Sequence, residues 1–175
     1  MKYIALLRGI NVGGKNKVDM KRLRTLLESM KYMNVETYLN SGNIIFETDL
    51  SREIVSESIS KTLFEEFALN IRTLIKTSEE IIHIESVIPD EWQNNKDQKT
   101  DVAYLFPEID SEKTLDEIPV NRKYTDLIYC NGAIIWHIMK KDYNKSQLNK
   151  LIGRKLYHFM TVRNVNTARY LAGLD

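Results

Sequence analysis

The chain has 175 residues, of which 43% are hydrophobic, and this composition suffices for one domain or for two small ones that share a core. The net charge of +1 argues against a general affinity for nucleic acid or membranes, and the apolar run 3–7 is too short for a signal peptide or a membrane span. A single cysteine, Cys130, excludes an internal disulfide, and no Cys/His cluster suits a structural zinc. We therefore expect a cytosolic protein without a cofactor.

The first 77 residues predict a ferredoxin-like unit. Apolar segments predict strands at residues 2–8, 35–39, 44–48 and 71–76. Asp19 and Ser51 are suitable caps for two helices, which end near Tyr32 and before Asn70. Turn formers at 40–43 indicate a β-hairpin between the second and third strands. The order β-α-β-β-α-β is that of the split βαβ arrangement.

The second half predicts a partly repeated α+β subdomain. Its predicted elements are a helix at 77–88, a strand at 100–106, a short helix at 111–117, a hairpin of 127–129 and 133–139, and helices at 144–156 and 162–171. Asn131-Gly132 indicates a type I′ turn. The polar stretch Gln93–Lys99 is a candidate mobile linker or domain boundary, although its length is also ordinary for a surface loop. We expect subdomains at 1–77 and 78–175, the second packed on the first, or one continuous domain.

The segment 8–17 places three of the seven glycines between a strand and a helix. Such a loop can direct backbone N–H groups at an anion, and the candidate ligand-binding residues here are Arg8, Asn11, Gly13, Gly14 and Lys15. The match to a nucleotide-hydrolysing loop fails, because an asparagine stands where Ser or Thr would coordinate magnesium. A tight connection that needs positive φ angles is the alternative.

Two further segments carry candidate ligand-binding residues. Ser41 and Asn43 lie at the hairpin end, where turn chemistry also explains them. Arg163 and Asn164 could hold a planar anion, or Asn164 could simply cap the last helix. No histidine adjoins a nucleophile or a carboxylate in sequence, so we predict no catalytic residue.

Three segments resemble a bacterial family called domain of unknown function 1697. They are residues 3–15, 37–43 and 161–167, and their order and spacing agree along the whole chain. The resemblance implies an α+β fold with ferredoxin-like subdomains and assigns no catalytic residue. Val165 departs from the family, whose members often have an aromatic residue there, and this argues against base stacking at that point.

Charge is distributed unevenly along the chain. Residues 1–40 carry eight Lys/Arg against three Asp/Glu, residues 41–139 nine against nineteen, and residues 140–175 eight against two. We therefore predict a binding module in which the three segments form one basic, polar surface for a phosphate-bearing small molecule or nucleotide. An enzyme acting on a phosphorylated molecule, RNA binding, and polar motifs that only clamp the fold of a protein-interaction module remain alternatives, RNA being the less favoured ligand.

Overall fold

Two sets of strands, one in each half of the chain, form two antiparallel sheets of four strands. The structure is a computed structural model and describes residues 1–173. The chain divides into unit 1, Met1–Ser78, and unit 2, Glu79–Asp175. The expected α+β class, with a ferredoxin-like first half and a second repeated subdomain, is confirmed.

Unit 1 has the predicted β-α-β-β-α-β order. Its elements are β1 (Lys2–Leu7), α1 (Met20–Ser29), β2 (Met33–Tyr38), β3 (Asn43–Glu47), α2 (Arg52–Phe67) and β4 (Thr73–Thr77). The strand order across the sheet is β2-β3-β1-β4. Each βαβ crossover therefore leaves space for one antiparallel strand, as in a split βαβ unit.

Two capped helices cover one face of this sheet. Asp19 accepts hydrogen bonds from the first turn of α1, and Ser51 accepts one from Ile54 in α2, as predicted. The core side chains of the two helices recur at helical spacing and are fully buried; they are Leu23, Leu27, Val55, Ile59 and Leu63. They pack with the odd-numbered side chains of β1, so the core of unit 1 is closed and apolar.

Unit 2 repeats this strand order with different connections. Its regular elements are α3 (Ser78–Ser86, starting in the last residue of unit 1), β5 (Gln98–Leu105), β6 (Asp126–Cys130), β7 (Ala133–Met139), α4 (Tyr143–Ser146), β8 (Met160–Asn164) and α5 (Val165–Ala172). The sheet order β6-β7-β5-β8 corresponds strand by strand to that of unit 1. Short 3-10 helices stand where unit 1 has α1 and α2; they are Pro107–Ile109, Glu112–Glu117, Lys140–Asp142, Leu148–Leu151 and Lys155–Phe159.

The structure corrects two predicted helices. The helix expected at 144–156 ends at Ser146, because Gln147 takes a left-handed φ of +61° and the chain continues as 3-10 turns. The helix expected at 162–171 begins only at Val165, because residues 160–164 pair with β5 as an eighth strand. The β-branched pair Thr161-Val162 favours that strand.

Two predictions about connections also change. The turn at Asn131-Gly132 has a positive φ only at Gly132, so it is not type I′, which needs positive φ at both central residues. The polar stretch Gln93–Lys99 is not the boundary between the units, and its end belongs to β5. The Asn95 backbone N–H donates to the Gln98 carbonyl at 3.1 Å, so this stretch is a hydrogen-bonded loop.

Within residues 1–173, no helix has the length and apolar character needed to cross a membrane.

Candidate functional site

Two asparagine side chains fix the glycine-rich loop between β1 and α1 from within. The Asn11 amide nitrogen donates to the carbonyl oxygens of Val18 at 3.0 Å and Asn40 at 2.9 Å. Its amide oxygen accepts from the Val18 N–H at 2.9 Å. Asn16 donates to the Gly9 carbonyl at 2.9 Å. Asn11 thus uses both amide hydrogens and its oxygen, and it clamps the loop to the hairpin turn at Asn40.

The tip of this loop is exposed and carries unused donors. Gly13 and Gly14 have φ angles of +57° and +76°, and a Cβ atom on either would meet nothing within 4 Å. Their backbone N–H groups donate to no described residue. The side chains of Lys15 and Lys17 are exposed and form no ion pair within residues 1–173. The tip therefore offers an anion both backbone donors and positive charge.

The loop differs from that of nucleotide-hydrolysing enzymes, as the sequence predicts. In those enzymes the lysine stands at the start of the helix. Here α1 begins at Met20, and its N-cap Asp19 accepts from the N–H groups of Lys21 and Arg22 at 2.9 and 3.0 Å. Lys15 precedes the helix, and Arg8 is half-buried at the base of the loop.

The hairpin end of unit 1 is held by its own polar side chains. The Asn43 side chain is fully buried and donates to the Tyr38 carbonyl at 2.8 Å and to the Ser41 hydroxyl at 3.1 Å. A Cβ atom on Gly42 would lie 2.6 Å from the Leu7 Cβ atom. Packing and turn chemistry thus account for Ser41, Gly42 and Asn43, as one of the sequence alternatives proposes.

The third segment lies in unit 2. Arg163 is 7% exposed, and its guanidinium donates to the Thr161 hydroxyl at 2.9 Å and to the Val162 carbonyl at 3.0 Å. Burial lowers the pKa of Arg163 to about 10, so the group stays charged at neutral pH. Asn164 caps α5 by accepting from the Thr167 N–H at 2.9 Å. The capping alternative for Asn164 is therefore confirmed.

The structure brings together two of the three predicted segments. The Asn11–Asn40 hydrogen bond joins the glycine-rich loop to the hairpin end in unit 1. Arg163 and Asn164 belong to unit 2, and the expectation that all three segments share one surface stays a prediction.

Unit 2 contains a pocket of about 350 Å³ beside its core. The polar residues that line it are Asn94, Lys99, Asp101, Arg163 and Asn164. Its aromatic lining residues are Trp136, Tyr143 and Tyr157. Of the lining residues, Trp136, Leu148 and Leu151 also belong to the buried core of unit 2. The pocket thus opens where the 3-10 connections cover the sheet incompletely.

A buried carboxylate organises this pocket. Asp101 is 6% exposed; its Oδ2 atom accepts from the Trp136 indole N–H at 3.0 Å and forms an ion pair with the Lys99 ammonium at 2.7 Å. None of these three residues is predicted from the sequence as a site candidate. The available signal was an acidic residue inside the apolar strand 100–106, because a buried carboxylate needs partners.

The contacts of His137 indicate a structural role for this residue. The Thr100 hydroxyl donates its one hydrogen to the Gln93 carbonyl at 2.8 Å. The same hydroxyl oxygen lies 2.8 Å from Nδ1 of His137. Because the hydroxyl hydrogen is already used, Nδ1 of the imidazole carries a hydrogen and donates it to that oxygen. The ring stacks on Trp92 with centroids 5.0 Å apart. Burial lowers the pKa of His137 below its usual value. Among residues 1–173, no group of His, Cys, Asp and Glu side chains is arranged to hold a metal ion.

Comparisons with known proteins agree with this architecture. A family model described as "Protein of unknown function (DUF1697)" matches residues 1–136. The chain is similar to a solved structure described as that of conserved bacterial protein SP0830 from Streptococcus pneumoniae, with 26% identity and a TM-score of 0.81. That similarity covers 98% of this chain and 96% of the other. No curated protein matches the chain.

Proposed function

Because the chain belongs to the DUF1697 family of proteins of unknown function, we propose a function from its own residues: it binds a phosphate-bearing small molecule or nucleotide at the glycine-rich loop. The observation that carries the proposal is the pair of unused N–H groups on Gly13 and Gly14 beside the exposed Lys15 and Lys17. Oriented backbone donors with adjacent cations are a recurring way to bind phosphate.

The other predicted residues have distinct parts in this proposal. Asn11, Ser41 and Asn43 use their side chains to hold the loop and the adjacent turn, so they keep the donors at the tip in place. Arg163 and Asn164 remain candidates for anion contacts in unit 2, where both line the pocket. A cytosolic location agrees with the single cysteine and is part of the proposal.

The alternatives have less support. RNA binding on a ferredoxin-like sheet uses aromatic side chains that are exposed on its central strands, but Phe46 in β3 is fully buried. An enzyme would need a general acid or base at the loop, and Asp19, the nearest carboxylate in sequence, is engaged as the cap of α1.

A thermal-shift titration tests the proposal. The ligands are inorganic phosphate, pyrophosphate, adenine nucleotides and a short RNA, each at low and moderate salt. A ligand that binds only the folded chain stabilises it by about 2.7 kcal/mol at one hundred times its dissociation constant. We expect a phosphate-bearing small molecule to raise the melting temperature and the Lys15→Ala/Lys17→Ala variant to bind it at least about tenfold more weakly.

The matched control is Lys61→Ala, which removes an exposed lysine of α2 outside the loop. This variant should keep the ligand response of the unmodified chain. The absence of any response, or an equal response from the loop variant, would contradict the proposal. A response to RNA alone that falls steeply with salt would instead favour nucleic acid.

A further inference from the structure

The carboxylate of Asp101 has one oxygen that the described chain does not use. The Oδ2 atom accepts from Trp136 and is ion-paired with Lys99, whereas no residue in the range 1–173 donates a hydrogen bond to Oδ1. Oδ1 of Asp101 is not among the fully enclosed, unpartnered side-chain atoms of residues 1–173, which are the hydroxyls of Thr73, Tyr104 and Thr125, so this oxygen is not sealed from solvent. Asp101 lines the pocket, and its side chain, which is 8% exposed, has one oxygen to which no described residue donates.

Charge in the pocket argues against a cationic ligand at this acceptor. Lys99 already neutralises Asp101 at 2.7 Å, and Arg163 adds a second positive charge to the lining. An ammonium group placed at Oδ1 would be repelled by both cations. A neutral hydroxyl can donate to a carboxylate at no such cost.

The walls of the pocket favour a ligand that has a planar ring next to that hydroxyl. Trp136, Tyr143 and Tyr157 supply three aromatic side chains, and aliphatic residues supply the rest of the apolar lining. Aromatic side chains stack on the faces of nucleic-acid bases. A volume of about 350 Å³ lies within the range of pockets that bind small molecules.

We propose that this pocket binds a nucleoside, whose ribose hydroxyls donate to Oδ1 of Asp101 and whose base packs against the aromatic wall. This proposal is independent of the phosphate site. Its residues all lie in unit 2, and its ligand needs no phosphate. Asp101 acts as an acceptor that selects for ribose, and Lys99 positions it.

Trp136 reports on the pocket directly, because it lines the pocket and donates to Asp101. The chain has two tryptophans, so Trp92→Phe leaves Trp136 as the single fluorophore. Adenosine, cytidine, guanosine and uridine are titrated to about 10 mM, the weak end of small-ligand binding. We expect at least one to change the Trp136 fluorescence saturably. In the unmodified chain, the Trp136 indole N–H signal in a ¹H–¹⁵N spectrum should shift with the same dissociation constant.

Two comparisons test the role of the carboxylate. The 2′,3′-dideoxy form of the nucleoside that binds lacks both ribose hydroxyls of that edge, and it should bind to the unmodified chain about 10- to 100-fold more weakly. Asp101→Asn should weaken the parent nucleoside by a similar factor, whereas Asp116→Asn, at an exposed position, should leave its affinity unchanged. The dideoxy comparison does not depend on whether Asp101→Asn folds.

Three results would overturn the proposal. They are no saturable Trp136 response to any of the four nucleosides, equal affinity for the nucleoside and its dideoxy form, and unchanged affinity in a folded Asp101→Asn variant. None of them bears on phosphate binding at the loop, because the probes carry no phosphate. Conversely, loss of phosphate binding in the Lys15→Ala/Lys17→Ala variant leaves the nucleoside titration intact.

Discussion

The two units place different chemistry at one equivalent pair of positions. In unit 1, Tyr3 and Phe46 face each other across β1 and β3, with ring centroids 6.1 Å apart. In unit 2 the equivalent pair is Asp101 and Trp136, joined by a hydrogen bond of 3.0 Å. The shared strand order therefore supports an aromatic contact in one unit and a buried carboxylate in the other.

The connections explain why each pair is tolerated. In unit 1, α1 and α2 cover the sheet and leave an apolar core, in which Tyr3 is 4% exposed. In unit 2, short 3-10 turns cover the same face and leave a pocket that Asp101 lines and Lys99 reaches. A polar site thus arises where regular helices are replaced by irregular connections, and the strand order itself does not require one.

Tyr3→Asp should lower the stability most, because it places a buried carboxylate, as in unit 2, at the equivalent position of unit 1. The new carboxylate would replace a large buried ring without the lysine that Asp101 has. We expect the free energy of unfolding to fall by at least about 4 kcal/mol. The measurement is urea unfolding followed by far-UV circular dichroism, since both tryptophans lie in unit 2.

Tyr3→Phe is the control for this substitution. It removes only the hydroxyl, which donates to the Leu50 carbonyl at a long 3.4 Å, and should cost less than about 1 kcal/mol. A loss below about 1 kcal/mol in Tyr3→Asp would show that unit 1 accommodates a carboxylate, and the contrast between the units would fail.

Gly42→Ala should have the next largest effect. The Gly42 carbonyl accepts from the Leu7 N–H at 2.8 Å, as the Gly132 carbonyl accepts from the Leu105 N–H at 2.9 Å. A Cβ atom on Gly42 would lie 2.6 Å from Leu7 Cβ, and the φ of +81° is strained for alanine. We expect a loss of about 3 kcal/mol in the same unfolding experiment.

Gly13→Ala separates the cost of a positive φ from the cost of the close approach to Leu7. Gly13 has a φ of +57° with open space around it, so the substitution should cost only the backbone term, about 1 kcal/mol. Equal losses in Gly13→Ala and Gly42→Ala would mean that the close approach to Leu7 adds nothing.

Much of the fold could be predicted from local signals. Asp19 and Ser51 cap the helices that they were expected to cap, and the apolar periodicity of unit 1 defines its core. Unit 2 was harder because its connections have no sustained period. Gln147 ends α4 in a left-handed conformation, which a glutamine does not predict. Strand β8 was not predicted, because its last residue, Asn164, is also the cap of α5 and the segment was assigned to that helix.

The candidate sites depend on burial, which a sequence shows poorly. Asn11 and Asn43 could be identified as polar residues at element ends, but only the structure shows that their side chains bond inward. The position of Asn43 in unit 1 is Ala133 in unit 2, where Asp110 holds the turn by accepting from the Gly132 N–H at 2.9 Å. Asp101 and Trp136 are far apart in sequence, and only the strand register joins them.

Thr73→Val should have a small effect of the opposite sign. The Thr73 hydroxyl is enclosed and has no hydrogen-bond partner among the described residues, and the equivalent residue in unit 2 is Met160. Valine has the same shape without the unpaired polar group, so we expect stability to rise by up to about 1 kcal/mol. Urea unfolding with Thr73→Ser as the control checks this, because serine keeps the hydroxyl and should not stabilise. A clear loss in Thr73→Val would show that the hydroxyl is satisfied.

His137→Gln should change how stability depends on pH, with the smallest effect. The position is Glu47 in unit 1, so the titratable group differs between the units. Burial lowers the pKa of His137 from the usual value near 6.5, so the unfolded chain binds the proton more strongly than the folded one. The stabilising contribution is therefore complete above about pH 6.5 and is lost as the pH falls from there through the lower folded-state pKa.

Melting temperatures between pH 8 and pH 5 should decline less in His137→Gln than in the unmodified chain. His83→Gln, at an exposed position of α3, is the control and should follow the unmodified chain. Parallel curves for His137→Gln and the unmodified chain would mean that the half-buried imidazole does not couple folding to protonation.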